Sequence, residues 1–133
     1  MSSDLQKEMA ALPGAGKIEA RPDGLWMDAP ELDCLALAGM IRSLEGRLIT
    51  ITGLPSTKSE IELVYHFALG KNQINVKLHT KDNQAVSITP VLPAANWIER
   101  EIHDLYGVVF TGHPNLERII RPVQIREGFF REG

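Results

Sequence analysis

The 133-residue sequence lacks several features that mark well-known classes of protein. It contains a single cysteine, Cys34, so it has no internal disulfide, and one thiolate is too few for an iron–sulfur cluster, which takes about four. No apolar run approaches the roughly twenty residues that a membrane-spanning helix needs. The first residues also lack the basic and then apolar pattern of a signal peptide. These absences predict a cytoplasmic protein that reaches a membrane only through a partner.

The chain also has little excess charge of either sign. Its formal net charge is -3, and the basic residues near the C-terminus are interrupted by acidic ones. A nucleic-acid interface requires a concentrated basic face, so the sequence argues against nucleic acid as a partner. Hydrophobic residues make up 44% of the chain and charged residues 23%, which is typical of a globular domain with a real core.

Sequence motifs of common active sites are missing. Neither His-Glu-x-x-His nor Cys-x-x-Cys spacing occurs, and no serine lies in a Gly-x-Ser-x-Gly turn. No glycine-rich dinucleotide fingerprint follows a predicted strand. Gly16 and Lys17 suggest a phosphate-binding loop, but that loop needs a Ser or Thr after the lysine, where this chain has Ile18. On its residues alone, the chain lacks the parts for hydride or electron transfer.

The order of predicted elements indicates an α+β fold. Strands are predicted at residues 25–27, 47–52, 60–69 and 73–80, the last two from clear alternation of apolar and polar residues. A nearly all-apolar segment over residues 32–44 predicts a buried helix that begins near Pro30. Helices separated from a mostly antiparallel run of strands indicate a two-layer sandwich, with a mixed, mostly antiparallel sheet and two main helices on one face.

The length favours one domain. Residues 1–21 are predicted to be a flexible leader, residues 22–114 a single α+β domain, and residues 115–133 a C-terminal tail. That tail carries many apolar residues for an arm exposed to water, which suits an arm that lies on another protein.

Residues 94–106 are predicted to form the second main helix, which is charged and aromatic. Gly107 ends it, because glycine takes the left-handed backbone that closes helices. The apolar stripe of this helix is predicted to comprise Trp97 or Ile98, Ile102 and Leu105.

The other positions of this helix are mostly ionisable. They comprise Glu99, Arg100, Glu101, His103 and Asp104. Arg100 and Asp104 lie four residues apart, as do Glu99 and His103, so each pair can meet on the helix surface. Two interpretations stay open from the pattern: an ordinary solvated face, or a face that docks on a partner and uses Trp97 and Tyr106 as anchors.

The same region resembles a known family. The runs Pro-Ala-Ala-Asn-Trp at 93–97, Glu-Arg-Glu at 99–101, Asp-Leu-Tyr-Gly at 104–107 and Gly-His-Pro-Asn-Leu at 112–116 look like its signature. The family is the respiratory-chain NADH dehydrogenase 30-kDa subunit of complex I, with counterparts in membrane-bound energy-converting nickel–iron hydrogenases. After this signature the family usually continues to a Trp and a Gly-x-Pro-Leu-Arg-Lys-Asp segment, which this chain lacks. The resemblance therefore leaves open which of these complexes the protein serves.

The resemblance implies a structural subunit without a cofactor, because in that family the flavin, iron–sulfur clusters, quinone or nickel site belong to neighbouring subunits. It implies as partners the 49-kDa, hydrogenase-like large subunit and the neighbouring iron–sulfur subunits, at the cytoplasmic face of the membrane. The predicted docking surface comprises Trp97, Glu99, Arg100, Glu101, Asp104, Tyr106, His113, Pro114, Arg118 and Arg121.

An alternative function comes from the histidines. A small metal-dependent hydrolase would need about three converging ligands, and the candidates are His66, His103, Asp104 and His113. A further possibility is an accessory protein with the same fold and a different partner.

Overall fold

The computed structural model describes residues 2–55 and 60–114 of the chain. In this part, the helices are α1 (Ser2–Ala10), α2 (Cys34–Ser43) and α3 (Ala95–Tyr106). The strands are β1 (Lys17–Arg21), β2 (Gly24–Asp28), β3 (Arg47–Pro55), β4 (Ile61–Leu69), β5 (Asn72–His79), β6 (Gln84–Val86) and β7 (Val109–Thr111).

Five of these strands form one mixed sheet in the order β1-β2-β5-β4-β3. Neighbours in this sheet are antiparallel, except β2 and β5, which run parallel. A separate two-stranded sheet pairs β6 with β7 in parallel. The predicted α+β fold with a mixed, mostly antiparallel sheet is confirmed.

The alternation in the sequence decides which side chains of β4 and β5 face the core. The buried inward positions are Ile61, Leu63, Tyr65, Phe67 and Leu69 on β4, and Ile74, Val76 and Leu78 on β5. The hairpin between the strands is short, and Gly70 takes a left-handed φ of 59° there, which glycine adopts without a steric cost. Buried residues of α1, α2 and α3 join these strand residues in one core, so the helices pack on the inward face of the sheet.

The opposite face of the sheet is polar, as expected for a face that meets water or a partner. His66 Nδ1 donates to Asn75 Oδ1 at 2.6 Å, and Gln73 Nε2 donates to the same oxygen at 3.0 Å. Asn75 is completely buried, and its Nδ2 donates to the backbone oxygen of Leu25 at 3.4 Å. These bonds satisfy an amide that would otherwise be costly to bury.

The structure of the N-terminal residues differs from the prediction made for them. Residues 1–21 were expected to be a flexible leader, but α1 and β1 occupy most of this segment, and Leu5 and Met9 of α1 are 7% and 0% exposed. Strand β1 pairs with β2, with Ile18 opposite Met27. The physical reason is that the edge of β2 offers backbone hydrogen bonds and the core offers an apolar surface, neither of which is visible in a short, weakly patterned segment. The predicted tail, residues 115–133, lies outside the described residues.

The start of α2 also differs from its predicted position. The sequence predicted a helix that begins near Pro30, whereas α2 begins at Cys34. Asp33 is its N-cap, and its carboxylate accepts from the backbone N–H groups of Leu35 and Ala36 at 3.0 and 3.1 Å. A carboxylate in this position satisfies donors that have no partner inside the helix, which favours Asp33 over Pro30 as the boundary.

Met9 provides a test of whether α1 belongs to the domain. Because Met9 is 0% exposed in the core, we expect Met9→Ala to lower the free energy of unfolding by about 2–5 kcal/mol. The measurement is urea unfolding of the full chain. The control is Glu8→Ala on the exposed face of the same helix, which should change stability by less than about 0.5 kcal/mol. Equal stability of both variants and the parent would show that α1 adds nothing to the core.

Candidate functional site

Helix α3 has two chemically different sides. Its core-facing side includes Ala95, Glu99, Ile102, His103 and Asp104, all buried. On its outer side, Trp97 is 61% exposed and Glu101 is also exposed. The predicted stripe therefore runs through Ile98 rather than Trp97. As predicted, Gly107 ends the helix with a left-handed φ of 74°, and its N–H donates to the His103 carbonyl at 2.8 Å.

Glu99 is the most completely enclosed charged residue of the described chain. Its side chain is 0% exposed, and its Oε1 accepts from the hydroxyls of Ser87 and Thr89 at 2.6 and 2.7 Å. Its Oε2 accepts from the backbone N–H of Ile88 at 2.9 Å. Three donors from one short segment replace the water that this carboxylate loses. Glu99 therefore lies beneath the predicted docking surface rather than on its exposed part.

The turn after β7 also attaches to α3 through a buried side chain. The His113 side chain is 1% exposed, and its Nε2 lies 3.9 Å from Glu99 Oε1 and 3.4 Å from the backbone oxygen of Asn96. Pro114, the next residue, is exposed. His113 therefore positions the turn, and its ring is directed away from solvent.

Two further ionisable residues of α3, His103 and Asp104, lie on the buried side of the helix. His103 Nδ1 donates to the backbone oxygen of Val108 at 2.8 Å and holds the chain that follows the helix. Asp104 is 7% exposed, so it belongs to the buried side rather than to an open docking face. Neither burial is visible in the sequence, because charged residues at helical spacing are more often solvated.

The outer side of α3 presents a compact aromatic and charged surface. The guanidinium of Arg100 lies over the Trp97 ring, 4.8 Å from its centroid, which is a favourable cation–π distance. We call Trp97, Arg100 and Glu101 the α3 outer surface. Tyr106, at the end of the helix, is partly buried, and a Cβ at Gly53 would lie 3.1 Å from its ring, so this glycine allows the ring to approach β3.

Two exposed valines extend the list of candidate contacts beyond the sequence prediction. Val86 and Val109 are 42% and 40% exposed on the small β6–β7 sheet. Phe110, the middle residue of β7, is only 2% exposed. Strands of three residues are too short to show alternation, so periodicity gave no signal for these residues. Arg118 and Arg121, which were predicted to dock, lie outside the described residues.

The hydrolase interpretation gains no support from the geometry. His66 lies on the polar face of the sheet and bonds to Asn75, whereas His103 and His113 bond to backbone oxygens beside α3. Within residues 2–55 and 60–114, no group of three or more His, Cys, Asp or Glu side chains is arranged to hold a metal ion. The four candidate ligands are therefore not brought together as a site.

Cys34 is a buried thiol, as predicted, and its surroundings make it less reactive. Removal from water raises its pKa from 9.0 to about 12, and the neighbouring charges of Asp33 and Glu99 act in the same direction. The thiolate is the reactive form of cysteine, so this thiol is a poor nucleophile at neutral pH.

Sequence comparisons identify relatives of the chain. The model of the family described as respiratory-chain NADH dehydrogenase, 30 Kd subunit, matches residues 28–130. The NADH-quinone oxidoreductase C subunit of Caulobacter vibrioides is 44% identical over 79 residues, which are 56% of this chain and 40% of that protein. The protein of the same name from Cereibacter sphaeroides is 42% identical over 78 residues, or 55% of this chain and 39% of that protein. The chain thus spans less than half the length of these relatives.

Solved structures share the fold. A structure described as Nqo5 of the trypsin-resistant fragment superposes with a TM-score of 0.66 at 26% identity, covering 86% of this chain and 98% of that chain. A chain of the membrane-bound sulfane sulfur reductase, an archaeal respiratory membrane complex, gives a TM-score of 0.72 at 23% identity, over 93% and 78% of the two chains. Of the helices that the structure describes, none is both long enough and apolar enough to cross a bilayer.

Substitution of Glu99 tests the buried hydrogen-bond cluster. We expect Glu99→Gln to lower the free energy of unfolding by about 1–3 kcal/mol, because the amide NH₂ brings a donor to a site that is surrounded by donors. Thermal or urea unfolding measures this loss. Glu101→Gln, two residues along and exposed, is the matched control and should shift stability by less than about 0.5 kcal/mol. Equal effects of the two changes would contradict the cluster.

Alkylation of Cys34 tests the raised pKa. Because burial raises the pKa of the folded thiol from 9.0 to about 12, much less of the thiol is ionised at pH 9 in the folded chain than in the unfolded chain. Iodoacetamide should therefore modify the native protein at least about 100-fold more slowly than the protein in urea, and the gap should narrow as the pH rises towards 12. Similar rates at pH 9 would mean that the thiol is accessible and ionised in the fold.

Proposed function

Because the chain belongs to the respiratory-chain NADH dehydrogenase 30-kDa subunit family, we propose that it is a structural subunit of a membrane-associated oxidoreductase complex. The names of its relatives support a complex of the NADH-quinone oxidoreductase type. In this proposal the chain is peripheral, at the cytoplasmic face of the membrane, and the redox cofactors belong to neighbouring subunits.

The observation that carries a docking role is the exposure of Trp97. A tryptophan that is 61% exposed leaves a large apolar ring in water, and such rings are frequent anchors at the centres of protein interfaces. Arg100 lies over this ring and shields part of it in the unbound protein. Stacking also holds the guanidinium in a fixed orientation, which lowers the entropy cost when it bonds to a partner.

The proposed partner is the large, hydrogenase-like subunit of the complex. The α3 outer surface combines an aromatic anchor with one basic and one acidic side chain, so it suits a partner surface that has an apolar recess flanked by charges of both signs. Tyr106 and Pro114 remain proposed contacts beside this surface, and Arg118 and Arg121, which lie outside the described residues, remain proposed contacts on the basis of the sequence. Glu99, His103, Asp104 and His113 support the surface from beneath, through the bonds and burial described above.

This division of roles rests on energetics as well as on burial. Glu99 has three donors inside its own chain, so contact with a partner would require breaking bonds that already compensate its desolvation. Trp97 is the opposite case. A partner would remove its ring from water, which is favourable, without breaking any bond of the fold. The same helix thus stabilises the domain on one side and offers a contact area on the other.

Truncation of Trp97 tests the docking surface. We expect Trp97→Ala to weaken binding of the full chain to the purified large subunit by at least about 30-fold, the effect of losing an interface anchor of about 2 kcal/mol. Its melting temperature should stay within about 2 °C of the parent, because the ring lies outside the core. Biolayer interferometry and thermal unfolding provide the two measurements.

The matched control is Ile49→Ala, which truncates another large apolar side chain, 44% exposed on β3. It should leave the affinity within about threefold of the parent. Arg100→Ala should weaken binding more than this control and less than Trp97→Ala. Parent-like binding of Trp97→Ala would remove α3 from the interface, and loss of its thermal transition would instead assign Trp97 to the fold.

A further inference from the structure

A groove lies between α1, the end of α2 and the hairpin that joins β4 to β5, and it has a volume of about 430 Å³. Its floor is apolar and includes Leu5, Leu44 and Leu69. Leu5 and Leu69 are 7% and 9% exposed, but Leu44 is 37% exposed, so the chain itself covers this floor only in part. Among the residues that the structure describes, those lining the groove include none from α3.

The charged side chains of the groove all have the same sign. Asp4, Glu8 and Glu45 form its rim, and all three are exposed. Asp4 and Glu8 lie four residues apart on α1, so their carboxylates repel each other. The described part of the lining contains no lysine, arginine or histidine. The groove therefore combines an apolar floor with a negative rim.

Glu45 is the least expected residue of this rim. A negative charge suits the start of a helix, as Asp4 does in α1, but Glu45 follows the end of α2, where the helix dipole is itself negative. The backbone of Glu45 has a left-handed φ of 58°, which glycine usually supplies just after a helix. Both features oppose folding, and a positively charged partner would make the first of them favourable.

We propose that this groove binds a basic, amphipathic segment of a partner polypeptide, with an aliphatic side chain on the floor and lysine or arginine side chains against the rim. Charge complementarity favours this occupant, because an acidic segment would be repelled and a neutral one would desolvate carboxylates without pairing them. The exposure of Leu44 favours a polypeptide over a polyamine, since only a ligand with an apolar side chain removes this leucine from water. The groove shares no residue with the α3 outer surface, so the proposal does not rest on docking through α3.

The test uses the full 133-residue chain and three ligands: a synthetic peptide that repeats Leu-Lys-Lys, its counterpart that repeats Leu-Glu-Glu, and spermine. Methyl resonances of Leu5, Leu44 and Leu69 are followed by NMR, with Leu35, 43% exposed on α2, as the reference outside the groove. The lysine peptide should bind saturably, shift the groove leucines more than Leu35, and bind more weakly as salt is added. The glutamate peptide should not bind, and spermine should bind at least about tenfold more weakly than the lysine peptide.

Variants without one charge test the rim. Glu8→Gln and Glu45→Gln should each weaken binding of the lysine peptide by about 2–5-fold, the range for exposed ion pairs, and the double variant should weaken it further. The matched control is Asp28→Asn, which removes the same charge from an exposed position at the end of β2 and should change the affinity by less than about twofold.

A pair of leucine variants tests the floor. Leu44→Ala should weaken the lysine peptide by at least about threefold, because it removes apolar surface that the peptide covers. Leu35→Ala truncates the same type of side chain elsewhere on α2 and should leave the affinity unchanged.

Glu45→Asn separates binding from folding. Asparagine tolerates the left-handed backbone better than glutamate, and the change removes a negative charge from the negative end of α2. Its melting temperature should therefore rise by about 1–5 °C while peptide binding weakens as in Glu45→Gln. The proposal is overturned if the lysine peptide does not bind saturably, if it shifts Leu35 as much as the groove leucines, if spermine or the glutamate peptide binds equally well, or if the rim variants keep the parent affinity.

Discussion

The burial of Glu99 is the constraint on which the C-terminal half of the domain depends. A carboxylate without exposure to water is stable only where donors surround it, and the donors here come from residues 87–89, a segment without regular structure of its own. The side chain of His113 packs beside the same carboxylate. One residue of α3 thereby fixes the segment before the helix and places the turn after β7, so both ends of the proposed docking region have defined positions.

The outer side of α3 follows from this inward anchoring. With Glu99, Ile102 and His103 directed to the core, the geometry of a helix puts Trp97 and Glu101 on the opposite side. Arg100 then lies over the exposed ring. The rigid attachment beneath matters for binding, because an anchor on a fixed helix loses less conformational entropy in a complex than one on a mobile loop.

Particular residues show how far sequence reasoning reached. Alternation on β4 correctly predicted that Leu63, Tyr65 and Phe67 face the core, since side chains of a strand alternate by geometry alone. The end of α3 at Gly107 was also predictable from local sequence, because it depends on the backbone conformation of one residue. The leader prediction was wrong for the opposite reason: Leu5 and Met9 form a buried pair only because distant strands supply the surface that covers them.

The sequence by itself determined the α+β class, the charged and aromatic character of α3, and the family signature within it. These depend on spacing between near neighbours in the chain, which residue order specifies directly. Only the tertiary structure decided which charges of α3 are enclosed and which are available. Glu99 and Glu101 are the same residue type two positions apart, and they differ because one meets three donors from a segment about ten residues earlier while the other meets solvent. That difference in desolvation is a property of the folded chain, and no local pattern encodes it.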